Sequence, residues 1–152
     1  PDRVVELLHG PAFMAVGTRD AQLRPAHTWV IGAVVHADRE TVSFFVPEAR
    51  SARVLSNLQD NGRVALGIGL VSHEAYQLKG TYLSSRPTGD EDIALQEAYR
   101  AKVLAALRQA YPEQIARPVV LGFVSRPGVA LTFRAEEIFL QTPGPGAGNR
   151  MA

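Results

Sequence analysis

The stretch Phe45–Asn61, FVPEARSARVLSNLQDN, joins the end of an apolar strand to the start of an amphipathic helix. Ser51 is a favourable N-cap residue, so we expect a helix from about Ser51 to Asp60. Three apolar residues would form its inward face: Val54, Leu55 and Leu58. Asn61 and Gly62 then supply a left-handed helix stop. The stretch therefore predicts a strand, a short connection and one well-bounded helix.

The start of this helix carries Arg50, Ser51 and Arg53. A helix N-terminus offers free backbone N–H groups and a partial positive charge. With a hydroxyl and two guanidinium groups added, it suits a phosphate monoester. Taken alone, however, the segment is more simply interpreted as a capped amphipathic helix with two solvated arginines.

Apolar runs with turn residues between them lie on both sides of this helix. The predicted strands are Phe13–Thr18, Ala26–His36, Thr41–Val46, Arg63–Leu70, Glu74–Leu83, Val119–Val124 and Val129–Gln141. Gly32 inside the second strand predicts a bend or a bulge. Turns that join neighbouring strands favour an antiparallel sheet.

Two further helices are predicted outside the strands. Asp2 would cap a helix over Asp2–His9, and Thr88 or Asp90 would cap a longer helix that ends near Tyr111. Strands outnumber helices, and alternating α/β units are too few for a doubly wound parallel sheet. The predicted fold class is therefore mainly β with α, an antiparallel β-barrel flanked by helices. We expect one domain over residues 1–142 and a flexible Gly/Pro-rich tail over residues 143–152.

Composition narrows the classes of function. The chain has 152 residues, of which 46% are hydrophobic and 20% charged, and its formal net charge is +1. This near-neutral balance gives no reason to expect nucleic acid or an acidic membrane surface as partner. The absence of cysteine excludes disulfides and thiolate chemistry, and fits a cytoplasmic location. No apolar run reaches the length of a membrane span.

Common motifs of catalysis and metal binding are absent from the sequence. The four histidines, His9, His27, His36 and His73, have no metal-ligand spacing, so no metal site is expected. Gly67-Ile68-Gly69 lacks the third glycine and the helix of a dinucleotide fingerprint. Neither a Walker motif nor a GxSxG elbow occurs. No side chain is identified as a catalytic acid, base or nucleophile.

The order of motifs along the chain carries more information than any one of them. A strand with HTWVIG and a strand ending in FFV come first, then RSAR at a helix start, then strands RVALGIGL and YQLKG. This order resembles the FMN-binding split-barrel family typified by pyridoxamine 5'-phosphate oxidases, from about Phe13 to Leu83. The resemblance continues more loosely through RPGVALTFRAEEIFLQTPG. It implies a split barrel, FMN as cofactor and a homodimer with flavin sites at the interface.

The resemblance also implies a phosphate site. In that family a Ser/Arg/Lys cluster at the helix start holds the FMN phosphate. The matching residues here are Ser51 and Arg53, with Arg50 adjacent. Arg24 is a candidate for a second basic group near the phosphate.

The same resemblance implies flavin contacts from three strands. The isoalloxazine ring would lie against the second strand, near Trp29, Val30 and Ile31. The ribityl chain would be lined by two residues that end the third strand, Phe45 and Val46. Gln77 and Lys79 would approach the flavin from the YQLKG strand, in this subunit or in its partner.

Simpler interpretations exist for some of these residues. Trp29 would serve equally well as a core or dimer-interface aromatic. Gln77 and Lys79 could form the polar outer face of a half-buried strand, with Tyr76, Leu78 and Gly80 facing inward.

The sequence leaves the activity itself open. The ending RAEEIFLQTPGPGAG lacks the Trp and the paired Arg/His pattern of typical family members, which argues against vitamin B6 oxidation. An FMN-dependent oxidoreductase with an unknown small substrate is the first interpretation. The alternatives are a non-catalytic flavin- or haem-binding protein, such as a carrier or redox sensor, and a split barrel that has lost its cofactor.

Overall fold

The computed structural model describes residues 1–123 and 126–151. Their seven strands are β1 Phe13–Arg19, β2 Pro25–Val30, β3 Ala33–Val35, β4 Thr41–Pro47, β5 Arg63–Gly69, β6 Ala75–Pro87 and β7 Gly128–Leu140. Their four α-helices are α1 Asp2–His9, α2 Ala52–Asn61, α3 Asp90–Ala110 and α4 Glu113–Leu121. A single 3₁₀ turn, Glu48–Arg50, precedes α2. Within the described residues no helix is both long and apolar enough to cross a membrane.

The strands form one antiparallel sheet in the order β2-β1-β5-β6-β7-β4-β3. Its two ends, β2 and β3, are consecutive in the chain and are separated by Ile31 and Gly32. The Ile31 N–H donates to the Phe45 carbonyl at 2.8 Å, and the Phe45 N–H donates to the Gly32 carbonyl at 3.2 Å. The sheet therefore curls back onto itself. These contacts confirm the predicted barrel and the predicted bend, which Gly32 makes with a positive φ of 91°.

The barrel interior is filled by alternate side chains of its strands. In β1, Met14 and Val16 point inward and are buried, whereas Ala15 and Gly17 lie on the outer face. Phe44 and Phe133 meet edge to face inside, with ring centroids 5.7 Å apart. This alternation follows the apolar pattern of the sequence, because only one face of each strand can reach the core.

Helix α2 is attached to the end of β1 by two asparagines. The Asn57 side-chain amide donates to the Thr18 hydroxyl at 3.0 Å, and both residues are buried. The Asn61 amide donates to the Arg19 carbonyl at 2.8 Å. Gly62 ends the helix with φ 68°, as the sequence predicts.

The predicted helix caps are wrong at α1 and α3, and at α2 Ser51 occupies the N-cap position but its side chain makes no capping hydrogen bond. Asp2 lies in the first turn of α1, and its carboxylate accepts from Arg39. The Ser51 hydroxyl donates backward to the Glu48 carbonyl at 3.0 Å, because the 3₁₀ turn holds Ser51 in a helical conformation. At α3 neither Thr88 nor Asp90 caps the helix. Asp92 does so, accepting from the Gly89 N–H at 2.8 Å.

The strand predicted over Val119–Val124 is also wrong. Helix α4 runs through Leu121, and Val124 lies outside the described residues. Ala116 and Val120, four residues apart, are both buried, so packing of one helix face outweighs the β-propensity of the valines. The tail turns back along β7, where the Met151 N–H donates to the Ile138 carbonyl at 2.7 Å. The flexibility of residues 143–152 stays a prediction.

Gly80 is expected to be the most sensitive glycine of the barrel. It lies at a register shift between β6 and β7, where an added Cβ would overlap the Arg134 carbonyl oxygen and lie 2.8 Å from its carbon. We expect Gly80→Ala to lower the free energy of unfolding by about 1–3 kcal/mol, measured by urea denaturation. Gly69→Ala is the control, since its Cβ would meet only the Ala75 Cβ at 3.9 Å. Equal losses in the two variants would contradict this.

Asp92 is expected to make stability depend on pH. Hydrogen bonds from Arg86 and from the Gly89 N–H hold the pKa of its carboxyl below the usual range. Because the folded-state pKa is lowered, this stabilisation is present above about pH 4 and is lost as the pH falls further. Asp92→Asn should therefore cost about 1–2 kcal/mol at pH 7, and less at pH 3. Asp90→Asn, at an exposed carboxyl of the same turn, is the control, and a pH-independent cost would refute the role of the charge.

Candidate functional site

The outer face of the barrel has a region built from small side chains. Ala15 on β1 pairs with Gly67 on β5, and Gly17 pairs with Ala65. We call these four residues the platform. Their side chains point away from the core, and none extends beyond a methyl group. The platform therefore leaves the backbone of two central strands open to close approach.

Larger side chains border the platform on both sides. Trp29 pairs with Ala15 on one side, and Gln77 pairs with Gly67 on the other. Since three strand spacings separate Trp29 from Gln77, the two residues lie about 14 Å apart. In the other pair of platform residues, His27 lies beside Gly17 and Lys79 lies beside Ala65. Gln77 and Lys79 thus face outward, as the simpler interpretation of that strand expects.

A groove of about 370 Å³ opens over Gly17 and Ala65 of the platform. Its lining includes Gly17, Ala65, His27, Lys79 and Glu137. The Lys79 ammonium lies 4.4 Å from the centre of the Phe139 ring, a cation–π contact that holds it beside the groove. The groove therefore combines an apolar floor with charged walls.

A second, smaller cavity of about 120 Å³ lies behind Trp29. We call it the Trp29 cavity. Its lining residues are Thr28, Trp29, Ile31, Pro47, Ala49, Arg50, Gly122, Phe123, Arg126 and Pro127. None of these described residues is acidic, and two are arginines. The cavity is therefore apolar, with a positive rim.

Phe123, two residues after the end of α4, closes one side of this cavity. Its ring lies 6.5 Å from Trp29, 6.3 Å from Phe13 and 6.4 Å from Tyr99, measured between ring centres. Tyr99 is buried, its hydroxyl donates to the Ala12 carbonyl at 2.8 Å, and burial raises the pKa of its phenol. Tyr99 is therefore a structural group and not a proton donor for the cavity.

The start of α2 presents two arginines to solvent. Arg50 lines the Trp29 cavity, and Arg53 lines a neighbouring polar cavity. Within residues 1–123 and 126–151, neither guanidinium has a hydrogen bond or an ion pair. Ser51 between them is 0% exposed, and its hydroxyl is occupied by Glu48. The exposed groups that can meet an anion here are therefore the two arginines.

Arg24 has a partner within its own turn. Its Nε donates to the Asp20 carboxylate at 2.7 Å. The backbone N–H of Arg24 also donates to this carboxylate, and these contacts lower the pKa of Asp20. Arg24 lies with Arg53 at the polar cavity, but its charge is already paired.

The ten residues implied by the family resemblance occupy four different places. Trp29, Ile31 and Arg50 meet at the Trp29 cavity. Val30, Phe45, Val46 and Ser51 have buried side chains. Arg53 faces the polar cavity, and Gln77 and Lys79 lie beyond the platform. Their roles stay predictions.

Sequence reasoning missed Phe123, Arg126 and the platform. The first two follow helix α4, whose last residues the sequence predicts as a strand, and this wrong prediction gave no reason to place either residue at a site. The platform had a readable signal: small residues alternate with apolar ones in RVALGIG, which places Ala65 and Gly67 on one face.

Comparison with known proteins establishes the fold. No protein-family model and no curated protein matches the chain. Among solved structures, HupZ from Group A Streptococcus is 18% identical, with a TM-score of 0.57 over 97% of this chain and 98% of that one. A protein provisionally named a pyridoxamine 5'-phosphate oxidase, from Lactobacillus delbrueckii, is 17% identical, with a TM-score of 0.53 over 91% and 92%. An FMN-binding protein from Syntrophomonas wolfei is 10% identical, with a TM-score of 0.55 over 91% and 83%.

These likenesses confirm the resemblance on the level of architecture. The chain has the split-barrel fold of pyridoxamine 5'-phosphate oxidase-like proteins. At such low identity the likeness concerns the fold alone, so what the site does has to be argued from its residues.

Proposed function

We propose that this chain is an FMN-binding flavoprotein, an FMN-dependent oxidoreductase that acts on a small substrate as a homodimer. One observation carries the proposal: two arginines flank the start of α2 beside a cavity walled by Trp29 and Ile31, and neither has an acidic partner among the residues that the structure describes. The solved FMN-binding protein of the same fold supports the choice of cofactor.

The phosphate of FMN fits the start of α2. Arg50 and Arg53 are exposed, and a phosphate would supply the negative charge that neither has among its described neighbours. The nearby helix terminus adds its partial positive charge. Ser51 can contribute its hydroxyl only by releasing the Glu48 carbonyl, so the arginines carry most of the expected affinity.

The isoalloxazine ring would lie on the platform next to Trp29. This side chain is 49% exposed, and the neighbouring platform is apolar and carries no side chain larger than a methyl group that would keep a ring away. Val30, Phe45 and Val46 can offer only backbone groups, since their side chains are buried. When bound, FMN would supply hydride transfer, and the protein would bind and orient it and exclude water from its ring.

The roles of Gln77 and Lys79 fit the partner subunit better than their own. Each lies across the platform from the Trp29 side, about 14 Å away in the same chain. If two platforms face each other around a two-fold axis, the partner's Gln77 and the partner's Lys79 can approach Trp29. The small residues of the platform allow this close packing.

A non-catalytic flavin- or haem-binding protein is the second candidate. It is favoured by the Trp29 cavity, where none of the described lining residues is a proton donor or acceptor near neutral pH. For haem, His27 beside the platform is a histidine that could reach an iron. The absorbance spectrum separates flavin from haem, and turnover of reduced nicotinamide with an acceptor separates an enzyme from a carrier.

The phosphate assignment is tested by Arg50→Ala combined with Arg53→Ala. We expect FMN affinity to fall by about tenfold or more for each arginine, since charge-assisted bonds contribute about 1.5–3 kcal/mol. Riboflavin, which lacks the phosphate, should bind both proteins alike. Flavin fluorescence titration measures both affinities. Arg117→Ala, at an exposed arginine of α4, is the control. If the double variant holds FMN as tightly as the parent, the assignment of the phosphate to Arg50 and Arg53 is wrong.

The shared site is tested by Ala15→Lys, which places a charge on the platform. We expect the parent to be a dimer that dissociates less readily with FMN, because a ligand of the dimer stabilises it. The variant should be monomeric and bind FMN weakly, while Ala101→Lys on the exposed side of α3 should behave as the parent. Sedimentation over a dilution series, with and without FMN, measures this. A monomer with full FMN affinity would overturn the shared site.

A further inference from the structure

The Trp29 cavity is too small for a flavin ring system. Its volume is about 120 Å³. An apolar protein cavity of about 150 Å³ holds one benzene ring, so this cavity has room for one ring at most, and a substituent on that ring would lie outside it at the rim. If the flavin lies over the platform side of Trp29, the space behind this residue remains for another planar molecule with one ring.

The walls of the cavity suit an aromatic ring. Trp29 and Phe123 present their rings with centres 6.5 Å apart and planes tilted by 47°. This spacing is too narrow for a third ring between them, so a ligand would lie against both and meet their faces and edges. Ile31 and Pro127 complete an apolar lining.

Two arginines line the cavity, and because Arg50 is assigned to the FMN phosphate, Arg126 is the one left to bind another anion. It is exposed at the rim, and none of the described residues forms a hydrogen bond or an ion pair with its guanidinium. Glu48 lies in the adjoining cavity that Arg126 also lines, but the two charged groups are not within ion-pair distance. A planar guanidinium binds a carboxylate through two parallel hydrogen bonds.

We propose that the Trp29 cavity binds a single-ring aromatic carboxylate, with the ring against Trp29 and Phe123 and the carboxylate on Arg126. As the substrate site of a flavoprotein, this inference rests on the proposed function. The ring would fill the cavity, and the carboxylate would lie outside it, on Arg126 at the rim.

The chain offers a direct probe of this cavity, because Trp29 is its one tryptophan. Benzoate is titrated into the full-length chain, with and without FMN, and tryptophan fluorescence is followed. Benzamide serves as the neutral analogue of the same shape. We expect saturable binding of benzoate and at least tenfold weaker binding of benzamide.

Variants of Arg126 separate charge from shape. Arg126→Gln should reduce benzoate affinity to that of benzamide, and Arg126→Lys, which keeps the charge without the planar fork, should fall between. Arg117→Gln, on α4 outside the cavity lining, should leave benzoate binding unchanged. Circular dichroism confirms that each variant is folded.

The outcomes distinguish this inference from the flavin proposal. If FMN binds but benzoate does not, or if benzoate and benzamide bind equally well, the carboxylate site is wrong and the flavin proposal stands. If benzoate binds through Arg126 but FMN does not bind, the cavity assignment stands and its role beside a flavin is wrong. Unchanged FMN affinity in Arg126→Gln supports two separate sites.

Discussion

The bend between β2 and β3 is the constraint on which the rest of the barrel depends. At Gly32 one continuous strand leaves its pairing with β1 and joins β4 through the Phe45 hydrogen bonds. A side chain here would suffer from the positive φ and would approach the Tyr99 Cβ to 3.4 Å. Both the backbone conformation and the packing of α3 therefore select glycine. Without this bend the sheet would end in two open edges.

The same bend divides the surface into two functional regions. Before it, Trp29 points outward beside the platform, while Ile31 at the bend itself lines the cavity. The connection after β4 then returns the chain to this place, which brings Arg50 to the rim. Phe123 joins these parts to α3 through its contact with Tyr99. A single change in strand direction thus brings together an apolar wall, the platform and the Arg50 guanidinium.

Much of this architecture is readable from the sequence, because alternating apolar residues report which face of a strand is buried. The barrel, the bend at Gly32 and the stop at Gly62 follow from such local signals. The helix caps do not, because the choice between Ser51 as a cap and as a partner of Glu48 depends on a 3₁₀ turn. Helix α4 is hidden for a similar reason, since the burial of Ala116 is a tertiary contact. The candidate site was therefore only partly predictable: its strand residues could be named, but Phe123 and Arg126 could not.

The composition of the platform has an entropic consequence. Glycine and alanine have no side-chain rotamers to lose. A molecule that covers Ala15, Gly17, Ala65 and Gly67 therefore causes no loss of side-chain conformational entropy in the platform. Longer side chains such as lysine or glutamine lose about 1.5–2 kcal/mol each when they are fixed at an interface. Whatever covers the platform therefore pays no side-chain ordering cost on the platform's side of the contact, and of the ordering costs of binding only that of the incoming molecule remains.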